Sequence, residues 1–189
     1  MLTPGIHKAY LAGVQELSGQ PGVSILAEGG QADTPNQCQA ALLATTAQAF
    51  LRDPHGLGRE VFGSCCVIIR CADAAEMVKV AQSVEGQLTA TLHLEPGQDE
   101  ALIRELLPVL ELKAGRILAN GFPTGVEVCH AMVHGGPFPA TSDPRSTSVG
   151  SAAIERFLRP VCYQDIPDAF LPEPLKAANP WGIARMEND

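Results

Sequence analysis

The feature that most constrains this chain is a regular alternation of apolar strands and capped helices between residues 61 and 120. The apolar run 61–71 is rich in β-branched residues and does not alternate, which predicts a strand buried on both faces. Asp73 and Glu76 then resemble a capping box, and Gly86 stands where the helix behind them is expected to end.

The same order is repeated directly afterwards. Residues 87–94 predict a second strand, Asp99 is expected to cap a second helix that Gly115 stops, and residues 116–120 predict a third strand. Strand, helix and strand in this order are typical of right-handed βαβ units. The chain is therefore expected to adopt an α/β fold with three layers, a mainly parallel sheet between flanking helices.

The residues before this pattern give weaker signals. Thr3 followed by Pro4 predicts a helix start, with an end at Gly19, and residues 23–30 predict a short strand. The segment 38–51 combines helix-favouring alanines with threonines that suit a strand, so both interpretations stay open.

Composition excludes several classes of function. The formal net charge is -8 and no basic cluster longer than a pair occurs, which argues against nucleic-acid binding. No apolar stretch is long enough for a membrane span and no signal-peptide pattern is present. The six cysteines form no CxxC pair and no zinc pattern, so reduced thiols in the cytoplasm are expected.

From Gly121 onward the chain becomes rich in Gly, Pro, Ser and Thr, and a long loop of this kind is usually functional or disordered. Within it, Cys129, His130 and His134 offer a thiol and two imidazoles. A metal site needs three or four convergent ligands, and no other His or Cys group supports one here. A nucleophilic Cys–His pair needs an electropositive, partly exposed setting, which the sequence does not establish. The glycines of 135–139 suit either a ligand pocket or a rigid turn.

Glu60 stands at the edge of the first predicted strand, where a carboxylate can accept hydrogen bonds from a ribose diol or simply face solvent. The chain contains neither a GxGxxG fingerprint nor a phosphate-binding P-loop. From these residues alone, a specific function does not follow.

Three segments, in this order, resemble the C-terminal part of NAD(P)-dependent aldehyde dehydrogenases. REVFGSCCVIIRC resembles the E-x-F-G-P element of that family, and GQLTATLH resembles its GLTA strand. The sequence from RILANGFPTGVEVCHAMVHGGPF to SAAIERFLRPVCYQ most resembles a subgroup of semialdehyde dehydrogenases and related NADP-preferring fatty-aldehyde enzymes. This resemblance implies a short dicarboxylic semialdehyde as the substrate. One departure is Ser64, which stands where most relatives have proline.

The resemblance implies roles for a few residues. Glu60 matches the glutamate that holds the ribose beside the nicotinamide, and Phe62 the aromatic residue near it. Gly135, Gly136 and Phe138 match a stretch near the substrate tunnel. The nucleophilic cysteine of the family stands in a G-Q-x-C setting that none of the six cysteines has, so no catalytic residue and no metal ligand is assigned.

The resemblance also implies an organisation. Residues 1–157 correspond to a portion of the catalytic domain, and 158–189 to an oligomerisation strand and extended arm, with 159–164 pairing in a homo-oligomer. NAD or NADP would bind only with the rest of the enzyme, and the fragment alone is expected to be inactive. A stand-alone binding module of the same ancestry and, more weakly, a hydrolase using Cys129 and His134 are the alternatives.

Overall fold

A computed structural model describes residues 1–31 and 33–186, and it divides the chain into two units, Met1–Ala153 and Ile154–Asp189. The first unit contains all the described strands and α-helices. The helices are α1 (Pro4–Ser18), α2 (Ala47–Phe50), α3 (Pro54–Gly58), α4 (Ala74–Ser83) and α5 (Glu100–Glu111). The strands are β1 (Ser24–Glu28), β2 (Ala41–Thr46), β3 (Cys65–Arg70), β4 (Gln87–Leu92) and β5 (Ala114–Ala119).

The α/β class and the parallel pairing are confirmed, but the five strands form two sheets rather than one. In the first sheet β2 lies between β1, which is antiparallel to it, and β3, which is parallel to it. In the second sheet β4 and β5 are parallel. No ladder of hydrogen bonds joins β3 to β4 within the described residues, so the expected continuous sheet is interrupted between them.

Local signals account for most of the helix starts. The Thr3 hydroxyl accepts a hydrogen bond from the backbone N–H of Ile6, as an N-cap does. Asp73 accepts from the N–H of Glu76, and the Glu76 carboxylate accepts from the N–H of Ala72. The capping box predicted for α4 is therefore present, with its reciprocal bond displaced by one residue.

The ambiguous segment 38–51 contains both structures. It forms strand β2, and Thr46, the last strand residue, caps helix α2 by accepting from the N–H of Ala49. Leu43 and Phe50, one from each element, join Leu17 and Leu57 in the main buried cluster. The helix-forming alanines and the strand-forming threonines thus belong to consecutive elements.

Two detailed expectations were wrong. The strand within 61–71 is not buried on both faces, because alternate residues of β3 are exposed and Ile68 retains 40% exposure. Gly115 does not stop a helix; α5 ends at Glu111, and Gly115 is the second residue of β5. A Cβ atom on Gly115 would lie 2.1 Å from the carbonyl oxygen of Gly135, so close backbone approach explains this glycine.

The second unit consists of short 3₁₀ helices joined by extended chain. The first of them, Ser151–Phe157, crosses the boundary between the units. Residues 159–164, for which a strand is predicted, have no regular secondary structure, and no strand among the described residues pairs with them. Among the described residues, no helix has the length and apolar character needed to traverse a bilayer.

Candidate functional site

The turn that carries Glu60 and Phe62 is held in place by helix α1. Gly13 lies against Val61 so closely that a Cβ atom on Gly13 would be 3.0 Å from the Val61 side chain. The guanidinium of Arg59 is 2.5 Å from the carboxylate of Glu16. Because Arg59 and Val61 are both fixed to α1, Glu60 between them has a defined position.

Tyr10 fixes the other end of this turn. Its hydroxyl lies 2.7 Å from the carbonyl oxygen of Gln39 and 3.0 Å from that of Ser64, and it can donate to either. The side chain is 2% exposed, and burial raises the pKa of the phenol, with the thiols of Cys38 and Cys65 adding to the shift. The phenol is thus kept neutral and able to donate. The sequence contained no signal for this contact, since residues 10 and 64 lie 54 positions apart.

Two of the cavities that Glu60 lines adjoin each other and also share Gly58 and Gln87. One, of about 400 Å³, is called the Glu60 crevice below. The other, of about 710 Å³, is more apolar and also includes Phe62, which is 69% exposed. The residues that line the Glu60 crevice are Gly58, Glu60, Glu85, Gly86, Gln87, Leu88, Thr89, Pro139 and Ala140. The structure thus brings Glu60 together with the end of the 135–139 turn in one crevice.

The glycines of that turn are explained by contacts within the protein. Gly136 has φ of +152°, and a Cβ atom on it would be 2.4 Å from the carbonyl oxygen of Gln87. A Cβ atom on Gly135 would be 2.8 Å from the carbonyl oxygen of Ser146. Both glycines are buried, whereas Phe138 is 78% exposed and follows them on the surface. The rigid-turn interpretation is therefore supported, and a contact with substrate stays a prediction.

Thr147 orders the long loop around this turn. Its side chain is 5% exposed; the hydroxyl accepts from the backbone N–H of His134 at 2.8 Å and donates to the carbonyl oxygen of Val149 at 2.7 Å. Ser148 adds two bonds, from its N–H and its hydroxyl, to the carbonyl oxygen of His134. Hydrogen bonds with the Ser and Thr hydroxyls thus satisfy backbone groups of this segment, which no strand pairing among the described residues satisfies.

The candidate group of Cys129, His130 and His134 does not form a metal centre. His130 Nδ1 lies 2.5 Å from Ser151 Oγ on the surface, while the backbone N–H of His134 bonds to Thr147. Within residues 1–31 and 33–186 no cluster of three His, Cys, Asp or Glu side chains could hold a metal ion. All six cysteines are free thiols.

Two of the thiols are shielded from reaction. Burial raises the pKa of the Cys65 thiol, with Cys66 adding to the effect. Burial also raises the pKa of the Cys71 thiol, and the carboxylates of Glu76 and Asp73 raise it further. A raised pKa lowers the thiolate fraction near neutral pH, which is the opposite of what a nucleophile requires.

Arg116 is a residue in the functional region that sequence analysis missed. It lies in β5, in register with Thr89 of β4, and lines a third cavity of about 290 Å³. Its Nη1 donates to the carbonyl oxygen of Gly125 at 2.8 Å, while the buried Nε finds no acceptor among the described residues. The available signal was a cation placed inside an otherwise apolar strand.

Arg145, the other arginine of the loop region, is at the surface. Its Nε lies 3.4 Å from a carboxylate oxygen of Asp143. The backbone N–H of Arg145 is the largest cause of a lowered pKa at Asp143, and the guanidinium adds to it. Arg145 is therefore engaged by a neighbour two residues away, on an exposed turn.

The fold defined by these elements resembles part of the fold of solved aldehyde dehydrogenases. Betaine aldehyde dehydrogenase from Staphylococcus aureus superposes with a TM-score of 0.60 at 13% sequence identity, over 83% of this chain and 29% of that one. The same enzyme, solved in complex with NAD+, gives the same TM-score and coverage. At this identity the likeness concerns the fold alone.

Sequence relatives are more specific. The chain is 56% identical over 188 residues to alpha-ketoglutaric semialdehyde dehydrogenase 2 of Azospirillum brasilense, covering 100% of this chain and 35% of that protein. It is 46% identical over 188 residues to alpha-ketoglutaric semialdehyde dehydrogenase of Acinetobacter baylyi, covering 100% of this chain and 36% of that protein. The chain thus spans about a third of the length of these relatives and is homologous to them along its whole length. No family model matches it.

Proposed function

We propose that this chain supplies the C-terminal region of the catalytic domain of an NAD(P)-dependent aldehyde dehydrogenase, which oxidises a short dicarboxylic semialdehyde to the carboxylic acid. The observation that carries the proposal is the Glu60 crevice, which is lined both by Glu60 and by Pro139, the last residue of the 135–139 turn. The sequence identity of 46–56% over the whole chain supports the same activity.

The residues of the crevice fit a nicotinamide cofactor. No hydrogen bond among the described residues occupies the exposed Glu60 carboxylate, so both of its oxygens can accept from the hydroxyls of a ribose. The exposed ring of Phe62 offers an apolar surface on the same turn. When bound, the cofactor accepts the hydride removed from the aldehyde. Glu60 and Phe62 would hold and orient it.

The remaining chemical groups come from outside this chain. A nucleophilic cysteine in a G-Q-x-C setting and a dinucleotide-binding fingerprint are absent from the 189 residues. The chain alone is therefore proposed to be inactive, with Gly135, Gly136 and Phe138 shaping the wall near the substrate. The six free thiols favour a reducing compartment such as the cytoplasm.

The test uses a longer polypeptide, in which this chain is joined to the remaining two thirds of the length of its relatives. It is called the joined polypeptide below. Formation of NADH or NADPH is followed with alpha-ketoglutaric semialdehyde as substrate. Replacing Glu60 by Ala is expected to raise the KM for the cofactor about 10- to 100-fold, the usual effect of losing a hydrogen bond to a charged group. Glu85→Ala is the matched control, because Glu85 lines the same crevice but pairs with His55 at 2.9 Å.

An equal rise in KM for both variants would contradict the role of Glu60. A joined polypeptide that reduces neither cofactor with any aldehyde would contradict the activity itself. In that case the alternative of a non-catalytic binding module derived from the same ancestor gains support.

We further propose that residues 159–164 pair with a second subunit. The segment pairs with no strand of the described residues, and Val161 and Tyr163, two positions apart in it, are both exposed. An unpaired extended backbone offers its N–H and C=O groups to an edge strand of another molecule. Homo-oligomers are the common outcome of such pairing.

Gel filtration of the joined polypeptide tests this pairing. Val161→Pro removes one backbone N–H and is expected to shift the protein towards the monomer, whereas Val161→Thr keeps both donor and strand propensity and should leave the oligomer intact. A wild-type monomer, or an oligomer that Val161→Pro does not weaken, would contradict the proposal.

A further inference from the structure

The cavity around Arg116 combines a cation with polar groups and open space. Its lining residues are Leu88, Thr89, Arg116, Pro123, Thr124, Gly125, Val126, Val133 and His134. The volume of about 290 Å³ lies at the lower end of the range typical of small-molecule pockets, roughly 300–1,000 Å³. A small ligand rather than a large one suits this space.

Among residues 1–31 and 33–186, the guanidinium of Arg116 has no anionic partner. None of the five ion pairs found among the described residues involves it. Its Nη1 is held by the carbonyl oxygen of Gly125 at 2.8 Å, with a weaker contact to the sulfur of Met132 at 3.9 Å. The buried Nε finds no acceptor in the part of the chain that the structure describes. Nη2 donates no hydrogen bond to the described residues, so the guanidinium, which lines the cavity, keeps a donor and its charge for a carboxylate.

The position of the cavity links it to the proposed active site. Leu88 and Thr89 line both this cavity and the Glu60 crevice, so the two meet at the start of β4. Thr89 is also the register partner of Arg116 on the neighbouring strand. A short molecule whose aldehyde faces the crevice can therefore place its other end near Arg116.

We propose that Arg116 binds the carboxylate at the far end of an aldehyde substrate and thereby selects a semialdehyde acid over an uncharged aldehyde. The inference rests on the proposed function and adds a specificity residue to it. The anion pairs with a guanidinium that has no carboxylate partner among the described residues, whereas an uncharged aldehyde makes no such pair.

The experiment compares two substrates in the joined polypeptide: alpha-ketoglutaric semialdehyde, which carries a carboxylate, and pentanal, an uncharged aldehyde of the same carbon number. Arg116→Met is expected to lower kcat/KM for the semialdehyde about 10- to 100-fold, mainly through KM, as loss of a hydrogen bond to a charged group does. With pentanal the same variant should stay close to the wild type. Arg116→Lys keeps the charge without the fork and should give an intermediate loss.

Arg145→Met is the matched control, since Arg145 is an exposed arginine of the same loop region, paired with Asp143. Arg145→Met should leave kcat/KM unchanged for both substrates. If Arg116→Met and Arg116→Lys lower kcat/KM equally for both substrates, Arg116 has a structural role and the inference is overturned. A loss of kcat/KM for the semialdehyde alone in Arg145→Met, or no loss in Arg116→Met, also overturns it. A wild type that oxidises pentanal and the semialdehyde equally well overturns the inference alone, whereas one that oxidises neither overturns the proposed function with it.

Discussion

A Cβ atom on Gly136 would lie 2.4 Å from the carbonyl oxygen of Gln87, so the loop turn and the first residue of β4 are in direct backbone contact. The same glycine is within reach of β5, where the backbone nitrogen of Gly115 would lie 3.3 Å from that Cβ atom. The turn at 135–139 therefore spans the beginnings of both strands of the second sheet.

Replacing Gly136 by Ala is expected to lower the free energy of unfolding by about 2–4 kcal/mol. Two costs add: the φ of +152° is unfavourable for alanine, and the new Cβ atom overlaps the carbonyl oxygen of Gln87. Gly30→Ala is the control, since Gly30 has open space around its Cβ position. Urea denaturation measures both variants. Equal stabilities would show that the loop can move away from β4 without cost.

Thr147 provides the second prediction. Thr147→Val removes the hydroxyl that bonds the N–H of His134 and both the C=O and the N–H of Val149. Three backbone groups then lack this partner, which should cost about 1–3 kcal/mol. Thr147→Ser keeps the hydroxyl and should lose much less. Hydrogen exchange of the His134 amide is the direct measurement, with faster exchange expected in the valine variant only. Unchanged protection in Thr147→Val would contradict the assigned bonds.

The elements that could be predicted from the sequence are those specified by local chemistry. The caps at Thr3 and Asp73 and the strand runs at 65–70 and 87–92 are set by residues within a few positions of one another. The gap between the two sheets could not be predicted, because strand order depends on partners distant in sequence.

The candidate site was predictable only in part. Glu60 and Phe62 were found by resemblance. The three contacts that fix their turn to α1 could not be predicted, because each connects residues between 43 and 54 positions apart in the sequence. The location also differs from the common rule that ligands of open α/β sheets bind beyond the carboxyl ends of the strands. Here Glu60 precedes β3, and Gln87 opens β4.

Thiol reactivity provides the third prediction. Iodoacetamide reacts with thiolates, and the pKa of Cys71 is raised by burial and by the carboxylates of Glu76 and Asp73. At mildly alkaline pH, Cys71 is therefore expected to be modified much more slowly than the exposed Cys129. Mass spectrometry of the digested protein at successive times gives both rates. Faster labelling of Cys71 than of Cys129 would contradict the burial of this thiol.

The last prediction concerns the pH dependence of stability through Tyr10. Its folded-state pKa is raised, so the folded protein retains the phenolic proton at a pH where the unfolded chain releases it. This contribution is complete below the unfolded pKa of about 10 and is lost as the pH rises through the folded pKa. Wild-type stability should therefore decline above about pH 10.

Tyr10→Phe should be less stable than the wild type at neutral pH by about 1 kcal/mol, because the bonds to Gln39 and Ser64 are gone. Above about pH 10 the deficit should shrink, since the variant has no buried phenol to ionise. Tyr163→Phe is the control, because Tyr163 is exposed and should follow the wild-type curve. Denaturation curves at increasing pH give the comparison. A constant difference between wild type and Tyr10→Phe at every pH would show that the Tyr10 phenol ionises equally in the folded and unfolded chains.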